Sequence, residues 1–576
     1  MISKKYAITV CMLLLTVGMI VSPNILLSLP VKAAPSQIQF THGIASGDVT
    51  PTSAVLWTRT GQDAQVEVLV SKHPTLKKPD FKGTIHSTSA TDFTAKLLAE
   101  GLKPNTLYYY RFIAGDSKSE IGIFRTSPKE SKASNVRFTW SGDTDVSKIN
   151  GVPVFGDWSP LTAAKLESPD FFIYLGDVIY SDVRAAGQLP DAQTLDEFRQ
   201  IYKDSRDVVT LHDLLKKTSI YPLWDDHEVR SDWAGQTVDP TYFAIGKQAF
   251  DEYTPIGKLN PTSDPDCAGP TQFRVKHWGK EADLIMLDTR TCRSENVETQ
   301  CHGDLVPTLP SFIRTTLPGI PAQPPAGCIA AINDPSRTML GSEQKDLFKD
   351  ALSDSKAKYK FIISSVAIQQ LFANPYDAWE GYGAERSEIL NFIRDNGIKN
   401  VIFLTTDLHL NLMNEVFVDR FSDPSPIASE VITGPIGAET DKDRILRTFG
   451  PALGPVLLQA RENLLTLVGA DCRNLDVYSY GKVTVSKVGG IAKIVLKDGD
   501  RNVIHDDVDP SIKCSKSFGL SDFPKSSSQV KNSKSTNDIV DAKKLWNKIQ
   551  GDNQISESVQ AIPQTEVQRS TFNPFG

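Results

Sequence analysis

Residues 171–182 read FFIYLGDVIYSD. Five uninterrupted apolar residues run into Gly176-Asp177, and Tyr180 follows three positions later. A strand with one wet face alternates polar and apolar side chains. A continuous apolar run marks a strand covered on both faces, as in a parallel sheet packed between other layers. The same texture recurs from about residue 135 onward. It appears in VRFTWSGD (136–143), YPLWDDHEV (221–229), ADLIMLDTRTC (282–292), YKFIISSV (359–366) and NVIFLTTDLHLN (400–411). Helical patterns separate these runs, at TLDEFRQIYKD (194–204), SEQKDLFKDALSDS (342–355) and ERSEILNFIRDNG (385–397). Strands alternating with helices predict an α/β fold.

The residues after the runs share a chemistry. VRFTW is followed by Ser141-Gly142-Asp143-Thr144-Asp145, FFIYL by Gly176-Asp177, YPLW by Asp225-Asp226-His227, and NVIFLTT by Asp407-Leu408-His409. In open α/β sheets, ligands gather at the carboxyl ends of the strands. Four strand ends that each deliver a carboxylate to one edge call for a compensating cation. The donor set of Asp143, Asp145, Asp177, Tyr180, Asp226, Asp407 and His409 holds one phenol, few imidazoles and no thiolate. Structural zinc of the cysteine-histidine kind does not fit it. Hard oxygen donors suit Ca²⁺, Mg²⁺, Mn²⁺ or ferric iron, and a phenolate such as that of Tyr180 favours ferric iron.

Outside this region the texture differs. Within 38–128, IASGDVTPTSAVLWTR (44–59), QVEVLVS (65–71), LKPNTLYYYRF (102–112) and IGIFRTSP (121–128) are short strands punctuated by Gly and Pro. They predict a small all-β, immunoglobulin- or fibronectin-like domain. KESKAS (129–134) reads as a linker. Lys4 and Lys5, an apolar run from Ala7 to Leu29 and then Val31-Lys32-Ala33 form the pattern of a secretory signal peptide over 1–33. Membrane association is expected only through an uncleaved N-terminus. Cys11 falls inside the signal, which leaves Cys267, Cys292, Cys301, Cys328, Cys472 and Cys514. In an exported chain an even set of this kind predicts three disulfides among 15 possible pairings. The net charge of −7 over 576 residues gives no general attraction to nucleic acid or anionic membrane. The polar KSSSQVKNSKSTND (525–538) reads as disordered, with a short helical pattern at 541–550.

Seven segments together carry a resemblance. They are GIASGDVTPTSAVLWTR, DFFIYLGDVIYSD, LWDDHEVRSDW, DLIMLDTRT, RTMLGSEQ, DAWEGYGAERSEIL and VIFLTTDLHLN. In this order they resemble the calcineurin-like metallophosphoesterases, and more closely the PhoD-type alkaline phosphatases/phosphodiesterases. The resemblance spans roughly residues 38–440. It implies a four-layer αββα core at 131–514 behind a β-sandwich domain at 36–130; the polar composition after Cys514 separately predicts a largely disordered tail at 515–576. The resemblance also implies a cluster of ferric iron and calcium. Asp177 would bridge two metal positions and Tyr180 would bind the iron. Asp226 would stand where many relatives in the wider superfamily have a metal-bound asparagine. Asp407 and His409 would complete the shell, and His227 would contact phosphate and protonate the leaving group. PhoD-type proteins often carry a cysteine where Asp143 stands, and Asp145 stands where the wider superfamily has a histidine.

The expected activity is hydrolysis of phosphate monoesters or diesters by an exported, monomeric enzyme with no stable nucleic-acid partner. A nuclease- or phospholipase-type phosphodiesterase on the same site is the alternative, and a secreted calcium-binding adhesion protein is the non-enzymatic one. Among the neighbours, Glu228 is expected to orient His227 or brace its loop, and Asp225 to support the ligands. Arg290 is expected to form a structural ion pair, and Arg230 to reach a phosphate oxygen.

Overall fold

A computed structural model of the chain describes residues 37–317, 320–423 and 425–520. The expected signal peptide, Cys11 and the segments 525–538 and 541–550 lie outside the described residues. Two sheets form the core. Strands β1 (Val136–Ser141), β2 (Phe171–Leu175) and β3 (Ile220–Leu223) are parallel neighbours at the centre of a nine-stranded sheet. Strands β4 (Ala282–Met286), β5 (Tyr359–Ile363), β6 (Val401–Thr405) and β7 (Ala428–Ile432) are parallel neighbours in a seven-stranded sheet.

The apolar runs are continuous because each strand is covered twice. Side chains alternate between faces. Phe171, Ile173 and Leu175 of β2 join the layer between the two sheets. There Phe171 lies 4.5 Å from Trp278 and Phe138 meets Phe361 edge-on at 5.2 Å, centroid to centroid. Phe172 and Tyr174 join the outer layer. Helices α1 (Leu195–Arg206), α2 (Val209–Lys217) and α3 (Pro240–Tyr253) supply that outer layer. On the other side, α4 (Ser342–Asp354) and α5 (Gly383–Asp395) cover Ile285, Ile362 and Phe403. The layers are helix, sheet, sheet, helix, as expected. α1 starts at a capping box, in which Thr194 accepts from the Glu197 amide while the Glu197 carboxylate accepts from the Thr194 amide. A long helix that the sequence reading did not place, α6 (Asp441–Leu467), bends at Gly450, ahead of Pro451 and Pro455.

The N-terminal all-β region is present. Val66, Val68 and Val70 are buried on alternate positions of Ala64–Ser71, in a five-stranded sheet. Its second sheet, however, continues into the core. Strand Phe40–Gly47 pairs in parallel with β3 at Gly47 and Ile220, and strands Ala54–Thr60 and Thr94–Ala99 follow it at the edge. The expected division at 130/131 is therefore a division of sequence but not of hydrogen bonding.

One boundary needs correcting. The tail was expected to begin at 515, but Ser515–Phe518 is a strand paired with Ala492–Asp498. The Cys472–Cys514 disulfide holds its start, and Phe518 is buried in the core. The other disulfides join Cys267 to Cys292 and Cys301 to Cys328.

Candidate metal centre

All the parallel strands point their carboxyl ends to one edge. The chain there turns sharply enough to place four candidate ligands in the left-handed region: Asp143 at φ 63°, Asp177 at 47°, Asp407 at 70° and His409 at 54°. Non-glycine residues rarely adopt this conformation, and it concentrates at functional sites. Crowding accounts for the glycine beside one of them. A Cβ on Gly142 would sit 2.1 Å from the Leu175 carbonyl oxygen. The Thr406 hydroxyl donates to that same carbonyl at 2.8 Å and ties the two sheets together at this edge.

Three groups of donor atoms result, each within 4.8 Å: Asp143, Asp177 and His409; Asp177, Asp226 and His227; Asp225, Asp226 and Asp407. Asp177 belongs to the first two, Asp226 to the last two. A cavity of about 50 Å³ opens on them, lined by Asp177, Tyr180, His227, Asp407, His409 and Arg444 among others.

The electrostatics ask for a cation. Burial lifts Asp143, Asp177 and Asp407 well above the usual carboxylate range, and neighbouring carboxylates add to the effect. Burial and the same charges lift the Tyr180 phenol. One oxygen each of Asp143 and Asp225 is buried with no hydrogen-bond partner. Orphaned buried carboxylate oxygens are costly unless something positive meets them. His409 is already in a ligating form. Burial, with the Arg444 charge, lowers its pKa to about 3, so it is neutral. Its Nδ1 donates to the Glu439 carbonyl, which leaves the Nε2 lone pair for the site. Tyr180 Oη stands 2.8 Å from that Nε2. The residues present therefore fit hard cations.

His227 is held differently. Its Nδ1 is 2.6 Å from Asp182 Oδ1, and its ring stacks on Tyr180 at 4.2 Å. Burial works to lower its pKa, but the charges of Asp226, Asp177 and Asp182 prevail and raise it well above the usual value. Asp226 behaves in the opposite sense. Burial opposes its charge, but His227 and Arg290 hold its pKa low.

The neighbours divide into bracing roles. Glu228 accepts from the Val178 and Asp225 amides at 2.6 and 2.8 Å, which makes it a brace of the loop. Asp182, five residues beyond Asp177, is the group that touches His227, and the sequence reading missed it. Asp225 accepts from Arg290 at 2.7 Å and from Ser365 at 2.6 Å. Arg290 also grips Asp377, a structural ion pair as expected. Asp145 stands apart from the three donor groups. Its oxygens accept from the Ser147 and Ala185 amides at 2.9 and 2.7 Å and hold the loop at the cavity wall. Arg230 does not reach the site with free donors. It lies 3.8 Å from the Tyr242 ring centroid and donates to Ser181 and to the Val229 and Ala192 carbonyls. The arginines at the cavity are Arg444 and Arg447 of α6, paired with Asp441 and Glu439.

Two face-to-face sheets lie between helices, with carboxylates from both sheets meeting at one edge, the arrangement expected of a metallophosphoesterase. Family comparison narrows the class. The PhoD-like phosphatase model matches residues 150–476, and its N-terminal-domain model matches residues 27–128. The chain belongs to the PhoD-like phosphatase family and is a phosphoesterase. Asp143 and Asp145 fall between the two matched segments. The chain is 27% identical to alkaline phosphatase D of Bacillus subtilis (strain 168) over 470 residues, 72% of this chain and 74% of that one. The solved structure of PhoD is similar in fold, with a TM-score of 0.64 at 24% identity over 80% of this chain and 87% of that one.

Proposed function

We propose that the protein is an exported, metal-dependent alkaline phosphatase that hydrolyses phosphate monoesters, diesters or both as a monomer. The observation that carries the reading is the convergence of Asp143, Asp177, Asp226, Asp407 and His409 from four strand ends, with buried carboxylate oxygens left unsatisfied. The oxygen-rich set with one phenol supports ferric iron and calcium as the occupants. Tyr180, Asp143, Asp177 and His409 would hold the iron, and Asp226 and Asp407, with Asp177 shared, the calcium. When bound, such ions neutralise phosphoryl charge and lower the pKa of water.

The chain's own part is to position and to transfer protons. Asp182 fixes the His227 ring through Nδ1, so Nε2 is the atom free to meet a substrate oxygen. With its ring fixed in this way, His227 would give a proton from Nε2 to the departing alkoxide. Glu228 and Arg290 keep the loop 225–228 in place. Three disulfides support export to an oxidising compartment. Among the described residues no helix is long and apolar enough to cross a membrane. Family membership sets aside the adhesion reading, and monoester against diester preference is left to the assay.

The test uses full-length protein purified without chelator. Elemental analysis should find iron and calcium, and a nitrophenyl monoester and diester should be hydrolysed at alkaline pH. Asp177→Asn should abolish turnover and reduce bound metal with the fold intact by circular dichroism. Full metal and turnover in that variant would sink the assignment.

A further inference from the structure

Arg206, the last residue of α1, is buried at 6% exposure. Other buried arginines meet carboxylates. Arg290 meets Asp225 and Asp377, Arg314 meets Asp304, and Arg199 meets Glu252. Arg386 instead gives its guanidinium to the carbonyls of Ile368, Phe417 and Val418. Arg206 makes no ion pair among the described residues. It donates to the Tyr253 carbonyl through Nη2 and lies 4.0 Å from the Trp57 ring centroid. Its Nη1 has no hydrogen-bond partner. A buried cation in this state lacks the counter-charge that burial demands. Burial lowers its pKa only to about 10, so it keeps its charge at neutral pH.

A cavity of about 20 Å³ lies beside it, lined by Tyr174, Tyr202, Ser205, Arg206, Leu211 and Tyr253 among others. The Tyr202 and Ser205 hydroxyls are also buried without a partner. Three unmet donors thus belong to residues on the wall of one cavity. α2 begins there without a side-chain cap, and Leu211 of its first turn lines the same space. Val178, Leu215, Ile220 and Thr254, whose hydroxyl donates to the Phe250 carbonyl, complete the wall. The space holds a single water-sized body. A water would neutralise no charge, and so small a space favours a monatomic anion over phosphate or a carboxylate.

We propose that this cavity binds one halide ion, chloride in ordinary salt, through Arg206 Nη1 and the hydroxyls of Ser205 and Tyr202. The site is separate from the metal centre but linked to it. Tyr174, on the cavity wall, hydrogen-bonds Thr144 at 2.5 Å, and the Thr144 hydroxyl donates to the Asp177 carbonyl at 3.1 Å. The halide would also fix the turn between α1 and α2.

Bromide tests this directly. Crystals of the full chain grown in sodium bromide should show an anomalous bromine peak in the cavity. The melting temperature in sodium bromide or chloride should exceed that in sodium gluconate of equal ionic strength by about 2–4 °C. Arg206→Met should erase that difference. Tyr202→Phe, which keeps the packing, should raise the halide concentration needed by roughly five- to tenfold, and it serves if the arginine variant does not fold. An ordered water in place of bromide, or equal melting in the two salts, overturns the proposal.

Discussion

At the scale of single residues, the centre divides into groups that face the cavity and groups that hold them. Asp182 is the clearest of the second kind. Its Oδ1 meets His227 Nδ1 at 2.6 Å and its Oδ2 accepts from the Ser231 amide at 2.7 Å. It thus ties the histidine to the loop that follows it. Asp182→Asn keeps the shape but lets an amide nitrogen face the ring. Groups in this outer position typically contribute about 10–100-fold to activity. The expected result is a kcat lower by about that factor, with KM and bound metal close to wild type. An unchanged kcat would mean that the ring is oriented by its stacking on Tyr180 instead. Asp177, Asp226 and Asp407 were legible because each follows an apolar run, and a run is a local signal. Asp182 carried no such mark. It ends the stretch FFIYLGDVIYSD, but only the folded loop shows that it turns back to His227. Arg230 misled for the same reason. Its closeness in sequence to His227 says nothing about direction, and its guanidinium turns towards Tyr242 and the Ala192 carbonyl.

At the scale of elements, apolar runs, broken by a charge only at the second position of β1, β4 and β5 (Arg137, Asp283 and Lys360), identified β1 to β6 because burial on both faces leaves that imprint. β7 escaped, since ASEVI carries a glutamate at its middle. Glu430 is buried because it ties strands together. Its oxygens accept from the Ile368 and Gln369 amides, at 2.7 and 3.2 Å, just beyond β5. α6 escaped because Pro451 and Pro455 interrupt its pattern, and with it went the arginines at the cavity. Glu430 has a consequence for pH. Burial pushes its pKa up to about 7, despite the two amides that favour its charge. The folded value is above the unfolded one of about 4.3. Its contribution to stability is therefore complete below about pH 4 and is lost as pH rises to 7. Linkage puts the loss on the order of 3 kcal/mol. Glu430→Gln cannot ionise and should lack this slope. The amide also costs something by facing the Gln369 N–H, but that cost is the same at every pH. Denaturant unfolding at pH 5, 6, 7 and 8 reads the difference. The wild type should lose its advantage over the variant as pH rises, and parallel curves would mean that Glu430 titrates normally.

At the scale of the whole molecule, the question is whether the N-terminal β region is a separate body. Its sequence pattern reads that way, and the family matches divide there as well. Its contacts do not. Gly47 pairs with Ile220 of β3, and the Tyr221 hydroxyl donates to the Val49 carbonyl at 2.8 Å. Trp57 Nε1 donates to the Glu252 carbonyl at 2.7 Å, Lys96 to the Asp251 carbonyl at 2.6 Å, and Asp48 accepts from Arg274 at 2.9 Å. Removing residues 36–130 would strip three strands from one edge of the nine-stranded sheet. It would bare β3 and remove Trp57, on whose ring Arg206 rests. Unpaired strand edges and exposed apolar surface of this kind drive aggregation. A chain that begins at residue 131 is therefore expected to be insoluble or unfolded, even though it keeps every candidate ligand. The full chain should melt in one calorimetric transition, with equal calorimetric and van't Hoff enthalpies. Each half lacks the pairing that completes the shared sheet, so neither can melt first and leave the other folded. Two resolved transitions, or a soluble and active fragment from residue 131, would show that the continuity at Gly47 and Ile220 contributes too little to couple them.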